Sequence, residues 1–118
     1  MATVGPNEFE VSKRLSGPET ITAITSGTAQ TLFTVPAGKK AKLKNIQIAN
    51  TGVSTRSFSI SIGADAAGTR LFSVVDIAKN TVLTWEGEIV LSAAETLRAF
   101  ASAASDLTIT TNGSEITL

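Results

Sequence analysis

The sequence predicts an all-β domain: an antiparallel β-sandwich of jelly-roll type with about eight strands and an extended N-terminal arm. Short apolar runs recur roughly every ten residues between turn-forming residues. Thr contributes 17 and Ser 12 of the 118 residues, a composition that favours strands and turns. No long stretch has the periodicity of an amphipathic helix. The length suits one domain with one core.

The N-terminal segment, residues 1–18, is predicted to be an arm outside the core, and residues 19–118 the sandwich. Two interpretations of the arm remain open. It is a flexible terminus, or it orders against a neighbouring subunit with Phe9 and Val11 as apolar anchors. The segment lacks the apolar core of a signal peptide, so none is expected. No apolar run has the length of a membrane span.

The first strands of the domain are expected to be short. Residues 20–25 alternate weakly around Ile21 and Ala23, and residues 31–35 form a second apolar run. Pro36-Ala37-Gly38 then predicts a turn, because proline presets its own φ and glycine tolerates a positive φ.

Residues 39–50 (KKAKLKNIQIAN) contain a change of phase. Lys40, Lys42 and Lys44 alternate with apolar residues at odd positions, whereas the apolar residues that follow, Ile46 and Ile48, are at even positions. Since a strand repeats every two residues, this switch predicts a bulge or bend near Lys44-Asn45. Such a bend is typical of the corners of sandwiches.

The later elements follow from the same alternation. Phe58, Ile60 and Ile62 alternate with serines, which indicates a half-buried strand. Further strands are predicted at 71–75, in one or two pieces across 82–91, and at 96–101. Asn112-Gly113 lies between two β runs, 107–111 and 114–118, and therefore predicts a hairpin turn.

The composition excludes several kinds of catalytic site. The chain has no His and no Cys, so thiol nucleophiles, disulfides, most zinc sites and the commonest general base are excluded, and we expect no cofactor and no enzyme activity. Glu86 and Glu88 share a strand face and are the candidate carboxylate pair, but no partner accompanies them, which favours a solvated strand edge. Asp65 and Asp76 lack the spacing of a calcium loop.

The charge is unevenly distributed along a neutral chain. Residues 39–70 have a net charge of +5 and residues 76–118 a net charge of −4. The dense cluster Lys39, Lys40, Lys42 and Lys44 is either a solvated strand whose lysines block aggregation or a patch that binds an acidic neighbour. Direct nucleic-acid binding is not expected, because no aromatic residues are interleaved with the lysines. The single tryptophan, Trp85, is expected to pack on the sheet and is the remaining interface candidate.

Several segments together resemble small β-sandwich virion proteins of tailed bacteriophages. They are TLFTVPAGK at 31–39, IQIAN at 46–50, GEIVL at 87–91, and residues 108–117 with their Gly-Ser-Glu-Ile. The resemblance covers about residues 30–118 and rests on strand and turn motifs.

The resemblance implies a structural role and no catalytic residues. Proteins of this type include capsid decoration (cement) proteins, head fibres and tail or tail-fibre components, usually trimers or other symmetric oligomers. We therefore expect a decoration protein of the virion, assembled in the bacterial cytoplasm, that binds the major capsid protein or other virion proteins and no membrane. The alternative is a tail or fibre component, including a module that binds a host-surface glycan through Trp85, Phe72 or Phe100.

Overall fold

The computed structural model describes residues 9–66 and 68–118, which form two four-stranded antiparallel sheets. A short 3-10 helix spans Ser26–Thr28. The strands are β1 (Phe9–Thr20), β2 (Gln30–Thr34), β3 (Lys39–Asn50), β4 (Arg56–Ile62), β5 (Arg70–Ile77), β6 (Thr81–Leu91), β7 (Thr96–Ala101) and β8 (Leu107–Thr117).

The strand order is that of a jelly roll. Sheet A runs β1-β8-β3-β6 and sheet B runs β2-β7-β4-β5, so consecutive strands repeatedly cross from one sheet to the other. Eight strands in two such sheets are the jelly-roll arrangement, and the predicted fold class is confirmed. Among the described residues, no helix has the length and apolar character needed to cross a membrane.

The core lies between the two sheets and consists mainly of aliphatic side chains. Strand positions two apart point to the same face, so most strands contribute alternate residues, whereas the central strand β4 is buried on both faces from Phe58 to Ser61. Ile46, Ile48 and Ile109 come from sheet A, and Ile60 and Leu97 from sheet B, and all five are fully buried. Burial of each such side chain contributes about 1.5–3 kcal/mol, which makes this interior the main source of stability.

The predicted bulge in residues 39–50 is present. On both sides of β3 the register shifts between Leu43 and Asn45, so that Lys44 is an extra residue opposite β8. Ala41 and Leu43 are buried before the shift, and Ile46 and Ile48 after it. A single strand thus keeps its apolar side chains on the core face while it bends.

The predicted hairpin at Asn112-Gly113 is wrong, because β8 continues through both residues to Thr117. They lie opposite the β3 bulge, where Gly113 passes close to the Lys42 carbonyl and Asn112 Nδ2 donates to Asn45 Oδ1 at 3.0 Å. A glycine inside a strand marks a close backbone approach as well as a turn, and here it marks the approach.

Two other boundaries differ from the expected ones. Residues 82–91 lie within one strand, β6, since pairing with β3 resumes at Ile89 after a register shift at the exposed Gly87 and Glu88. Residues 21–25 are not a strand; β1 ends at Thr20 and the chain then passes to the 3-10 helix.

Residues 9–18, which the sequence analysis assigned to the arm, lie in β1 at one edge of sheet A. Phe9 is opposite Thr117 and Thr20 is opposite Thr108, with register shifts after Arg14 and after Ser16. The expected boundary at residue 18 therefore falls inside a strand, because β8 is long enough to pair with the segment along its whole length. Residues 1–8, the rest of the predicted arm, lie outside the described residues.

Candidate interaction surfaces

The lysine cluster is divided between the two faces of sheet A. Lys40, Lys42 and Lys44 alternate with the buried residues Ala41 and Leu43, so their side chains lie on the outer face, away from sheet B. The shared face that the sequence predicted for these three lysines is present.

An acidic residue of β1 neutralises part of this outer face. Glu10 lies 3.4 Å from Lys42 Nζ and 3.7 Å from Lys44 Nζ, and it accepts a hydrogen bond of 2.9 Å from Ser114 Oγ. The hydrogen bond from Ser114 and the two lysine charges hold the pKa of Glu10 below its ordinary value. Lys40 is exposed and forms none of the ion pairs found among the described residues.

Lys39 lies on the opposite face, where it pairs with Glu115 of β8. Its Nζ is 2.9 Å from Glu115 Oε1, and Lys13 Nζ approaches the same oxygen at 3.6 Å. The hydrogen bond from Lys39, together with the charges of both lysines, lowers the pKa of Glu115. Glu10 and Glu115 could not be recognised as partners from the sequence, because each is far from the lysines along the chain and only the β1-β8-β3 order brings them together.

Beside this ion pair lies a cleft of about 200 Å³ between β1 and the end of β2. Its walls are both charged and apolar, and no described group of carboxylates accompanies it that could hold a metal ion. The residues that line it are Lys13, Leu15, Phe33, Thr34, Val35, Pro36, Ala41 and Glu115. Val11, one of the two predicted anchors, lies nearby on β1 and is 58% exposed.

Glu86 and Glu88 lie at the free edge of sheet A and are exposed. Neither forms a hydrogen bond or ion pair with another described side chain, and no cluster of three potential metal ligands is found in residues 9–66 and 68–118. Two solvated carboxylates without a base, nucleophile or cation have no defined chemistry. They contribute negative charge to the β6 edge of the outer face of sheet A, the face that also has Lys40, Lys42 and Lys44.

The aromatic residues that were candidates for glycan binding are engaged within the chain. Trp85 is half-buried on the core side of β6 and makes an edge-on contact with Phe72 at 5.9 Å between ring centroids. Phe72 in turn packs on Phe58 at 5.8 Å. Phe100 is covered by the Arg70 guanidinium, which lies 5.4 Å from the ring centroid. The sheet-packing position expected for Trp85 is the one observed.

A partly buried ion pair that was not predicted from the sequence organises the loop after β4. Asp65 accepts two hydrogen bonds of 2.9 Å from Arg70 and one from Ser26, and its side chain is 1% exposed. The hydrogen bonds from Arg70 and then Ser26 lower the pKa of Asp65. The pair fixes the loop against the 3-10 helix, which is a structural role.

Comparisons with known proteins identify the fold. No protein-family model matches the sequence, and no curated protein matches it. Tobacco streak virus coat protein in its C2 crystal form is similar in structure with a TM-score of 0.49 and 12% identity, over 100% of this chain and 91% of that one. The coat protein dimer of the same virus gives 0.48 and 12%, over 99% and 89%.

The T13 particle of infectious bursal disease virus (IBDV) gives a TM-score of 0.50 at 10% identity, over 93% of this chain and 30% of that longer chain. At this identity the likeness concerns the fold alone. Together with the strand order, it places the chain among the jelly-roll β-sandwich proteins.

Proposed function

We propose that this chain is a non-enzymatic structural protein of a virus particle, and specifically a decoration protein that binds the assembled shell of a tailed bacteriophage and stabilises it. The observation that carries the proposal is the jelly-roll strand order, and the structural likeness to a chain of the IBDV particle supports it. The resemblance of residues 30–118 to phage virion proteins supports the finer assignment. The major capsid protein, or another virion protein, is the proposed partner.

The outer face of sheet A is the surface proposed to contact the shell. Its four strands have 11 or 12 residues each. At about 3.3 Å per residue and about 4.8 Å between strands, the face covers roughly 600 Å². A standard protein interface buries about 800 Å² on each partner, so this face supplies most of one.

The charges on this face define the kind of partner that fits it. Of the three lysines on this face, Lys44 lies at the level of Glu86 and Glu88 of the neighbouring strand β6, whereas Lys42 is opposite Val90. A shell surface with both acidic and basic groups complements such a face, whereas the uniformly negative backbone of DNA does not. Charges of both signs also fix the orientation of the bound chain.

The first test of the function is the copy number of the chain in purified particles, measured by quantitative mass spectrometry. A decoration protein is present in proportion to the capsid protein. A few copies per particle would instead indicate a tail or fibre component, and absence from the particle would contradict the virion role.

The second test concerns the surface. Shells that lack the chain are mixed with purified wild-type protein, with Lys40→Glu, or with the matched control Lys79→Glu, which changes an exposed lysine in the connection before β6. We expect Lys40→Glu to reduce occupancy several-fold and Lys79→Glu to leave it unchanged. Equal occupancy of all three would overturn the assigned face, and the copy number would still decide the function.

The N-terminal arm is proposed to add a second attachment to the shell or to a neighbouring subunit. Because residues 9–18 belong to β1, deletion of the whole arm would remove a sheet strand, and the informative variant lacks residues 2–8 only. We expect this variant to unfold at the wild-type temperature and to bind shells more weakly. Full occupancy would contradict the proposal. The resemblance also predicts a homo-oligomer, with a trimer favoured, which a mass measurement in solution tests.

A further inference from the structure

The four edges of the two sheets differ in how open they are to a further strand. β1 and β6 are the edges of sheet A, and β2 and β5 those of sheet B. β2 has only five residues, and β5 is irregular, with Val74 at a φ of 49° and two register shifts against β4. Short and bulged edges resist pairing with another chain. Sheet B is therefore protected at both edges, and sheet A is the candidate.

The regular part of β1 presents an open edge of moderate length. From Phe9 to Arg14 its register with β8 is uninterrupted, and the first shift follows Arg14. Residues 11–14 are all exposed, and Val11 is 58% exposed although its apolar side chain gains nothing from water. An edge strand with an uncovered valine and a regular backbone is a suitable template for one more strand.

We propose that this edge binds β1 of a second copy of the chain, antiparallel and with the two-fold axis at Ser12. In this register Glu10 is directly opposite Arg14 of the second copy, and the symmetry repeats the pair. Val11 is opposite Lys13, whose methylene stem covers apolar surface while its ammonium group keeps its contact with Glu115 of its own chain. The segment Glu-Val-Ser-Lys-Arg is thus complementary to itself when reversed.

The charges already present around β1 support this register. Arg14 is exposed and forms none of the ion pairs found among residues 9–66 and 68–118. Glu10 is in contact with Lys42 and Lys44 on the side of its own sheet. In the proposed register Arg14 of the second copy approaches Glu10 from the other side, because directly opposite residues of an antiparallel pair share a face. The lysines, Glu10 and this arginine then form a row of alternating charges on the outer face.

The same operation centred on the glutamates of β6, the other edge of sheet A, is electrostatically unfavourable. A two-fold axis at Gly87 places Glu86 opposite Glu88 twice, and an axis at Glu86 places that carboxylate opposite its own copy. Like charges directly opposite each other destabilise a strand pair. Around its charged residues the β6 edge therefore opposes a second copy, whereas the β1 edge pairs opposite charges in the proposed register.

Disulfide trapping tests the register directly, because the wild-type chain has no cysteine. At the two-fold axis the two Ser12 Cα atoms are about 4.5–5.5 Å apart, within the range of a disulfide. Under mild oxidation we expect Ser12→Cys to form a covalent dimer at least about tenfold faster than the matched exposed variant Lys79→Cys, which lies outside the sheet edges. Equal rates for the two variants would overturn the proposal, as would a trimer in solution that Ser12→Cys does not cross-link.

Sedimentation of cysteine-free variants tests the charges. Arg14→Glu turns two attractive pairs into two repulsive ones and should weaken self-association about tenfold or more, whereas Arg14→Lys should stay within about threefold of wild type. Because Arg14 has no described ion-pair partner, we expect both variants to keep the wild-type unfolding temperature. A self-association constant that Arg14→Glu leaves unchanged would contradict the register. The inference does not depend on the virion role, since both experiments use the isolated chain.

Discussion

Gly113→Ala tests the interpretation that β8 crosses the β3 bulge without room for a side chain. A Cβ atom at position 113 would lie 1.8 Å from the Lys42 carbonyl oxygen and 2.9 Å from the Lys42 carbonyl carbon. Both neighbours are backbone atoms in the middle of a four-stranded sheet, so neither moves unless the strand moves with it. Asn112 and Gly113 are fixed in turn by pairing with β1 on the other side.

The expected cost follows from the separation that the methyl group demands. A carbon and a carbonyl oxygen come no closer than about 3.3 Å, so β3 and β8 must separate by about 1.5 Å at this point. That separation breaks about two ladder hydrogen bonds at about 1 kcal/mol each, and the overpacking adds about 1–3 kcal/mol. We therefore expect Gly113→Ala to lower the free energy of unfolding by about 3–5 kcal/mol, a large part of the total for a domain of this size.

Urea unfolding followed by the fluorescence of Trp85, the only tryptophan, measures this free energy. The matched control is Gly27→Ala, because a Cβ atom at that exposed position meets nothing within 4 Å. The control should change stability by less than about 1 kcal/mol, and it is expected to be neutral or stabilising. If the free energy of unfolding of Gly113→Ala lies within about 1 kcal/mol of that of the control, the close approach of the two backbones is not a constraint and the reasoning is refuted.

Two further predictions concern buried polar contacts. Asn50 is 1% exposed; its Nδ2 donates to Ser54 O and Ile77 O and its Oδ1 accepts from Gly52 N, each at 2.9 Å. Asn50→Ala leaves these groups without partners and should cost about 2–4 kcal/mol in urea unfolding; a loss under about 1 kcal/mol would contradict the assigned role. The lowered pKa of Glu115 contributes stability that is complete above 4.5, the ordinary pKa of a glutamate, and is lost as the pH falls through the lower value of the folded chain. Glu115→Gln should therefore flatten the decline of unfolding free energy in acid, and an unchanged pH profile would contradict the pairing with Lys39.

The bend in sheet A shows which features the sequence carries and which it does not. The phase switch in β3 is visible in the sequence because it changes which positions are apolar, from Leu43 to Ile46. The partner strand has no such switch before the crossing point, since Leu107, Ile109 and Thr111 are all buried at odd positions. At the crossing point its Asn-Gly pair has the composition of a hairpin turn. Local sequence cannot distinguish a glycine that turns the chain from one that admits a neighbouring backbone.

The candidate surfaces were predictable to a different extent. The common face of Lys40, Lys42 and Lys44 follows from alternation within one strand and could be predicted. Their acidic neighbour Glu10 could not, because the pairing depends on the order β1-β8-β3, in which strands from both ends of the chain are adjacent. Local patterns give the residues on a face, and the topology decides which charges remain free on it.

The opposite charges that are separated along the sequence are therefore partly paired in the folded chain. Positive charge from residues 39–44 meets Glu10 and Glu115, which come from near the two ends of the chain, so much of the basic segment is compensated internally. Among the described residues of sheet A, exposed charges outside these pairs are found at Lys40, Arg14, Glu86 and Glu88. Because these groups have both signs and lie on one face of the sheet or at its edges, a partner bound there would gain affinity only in a defined orientation. This is the property that a protein needs when it occupies one repeated position in a regular assembly.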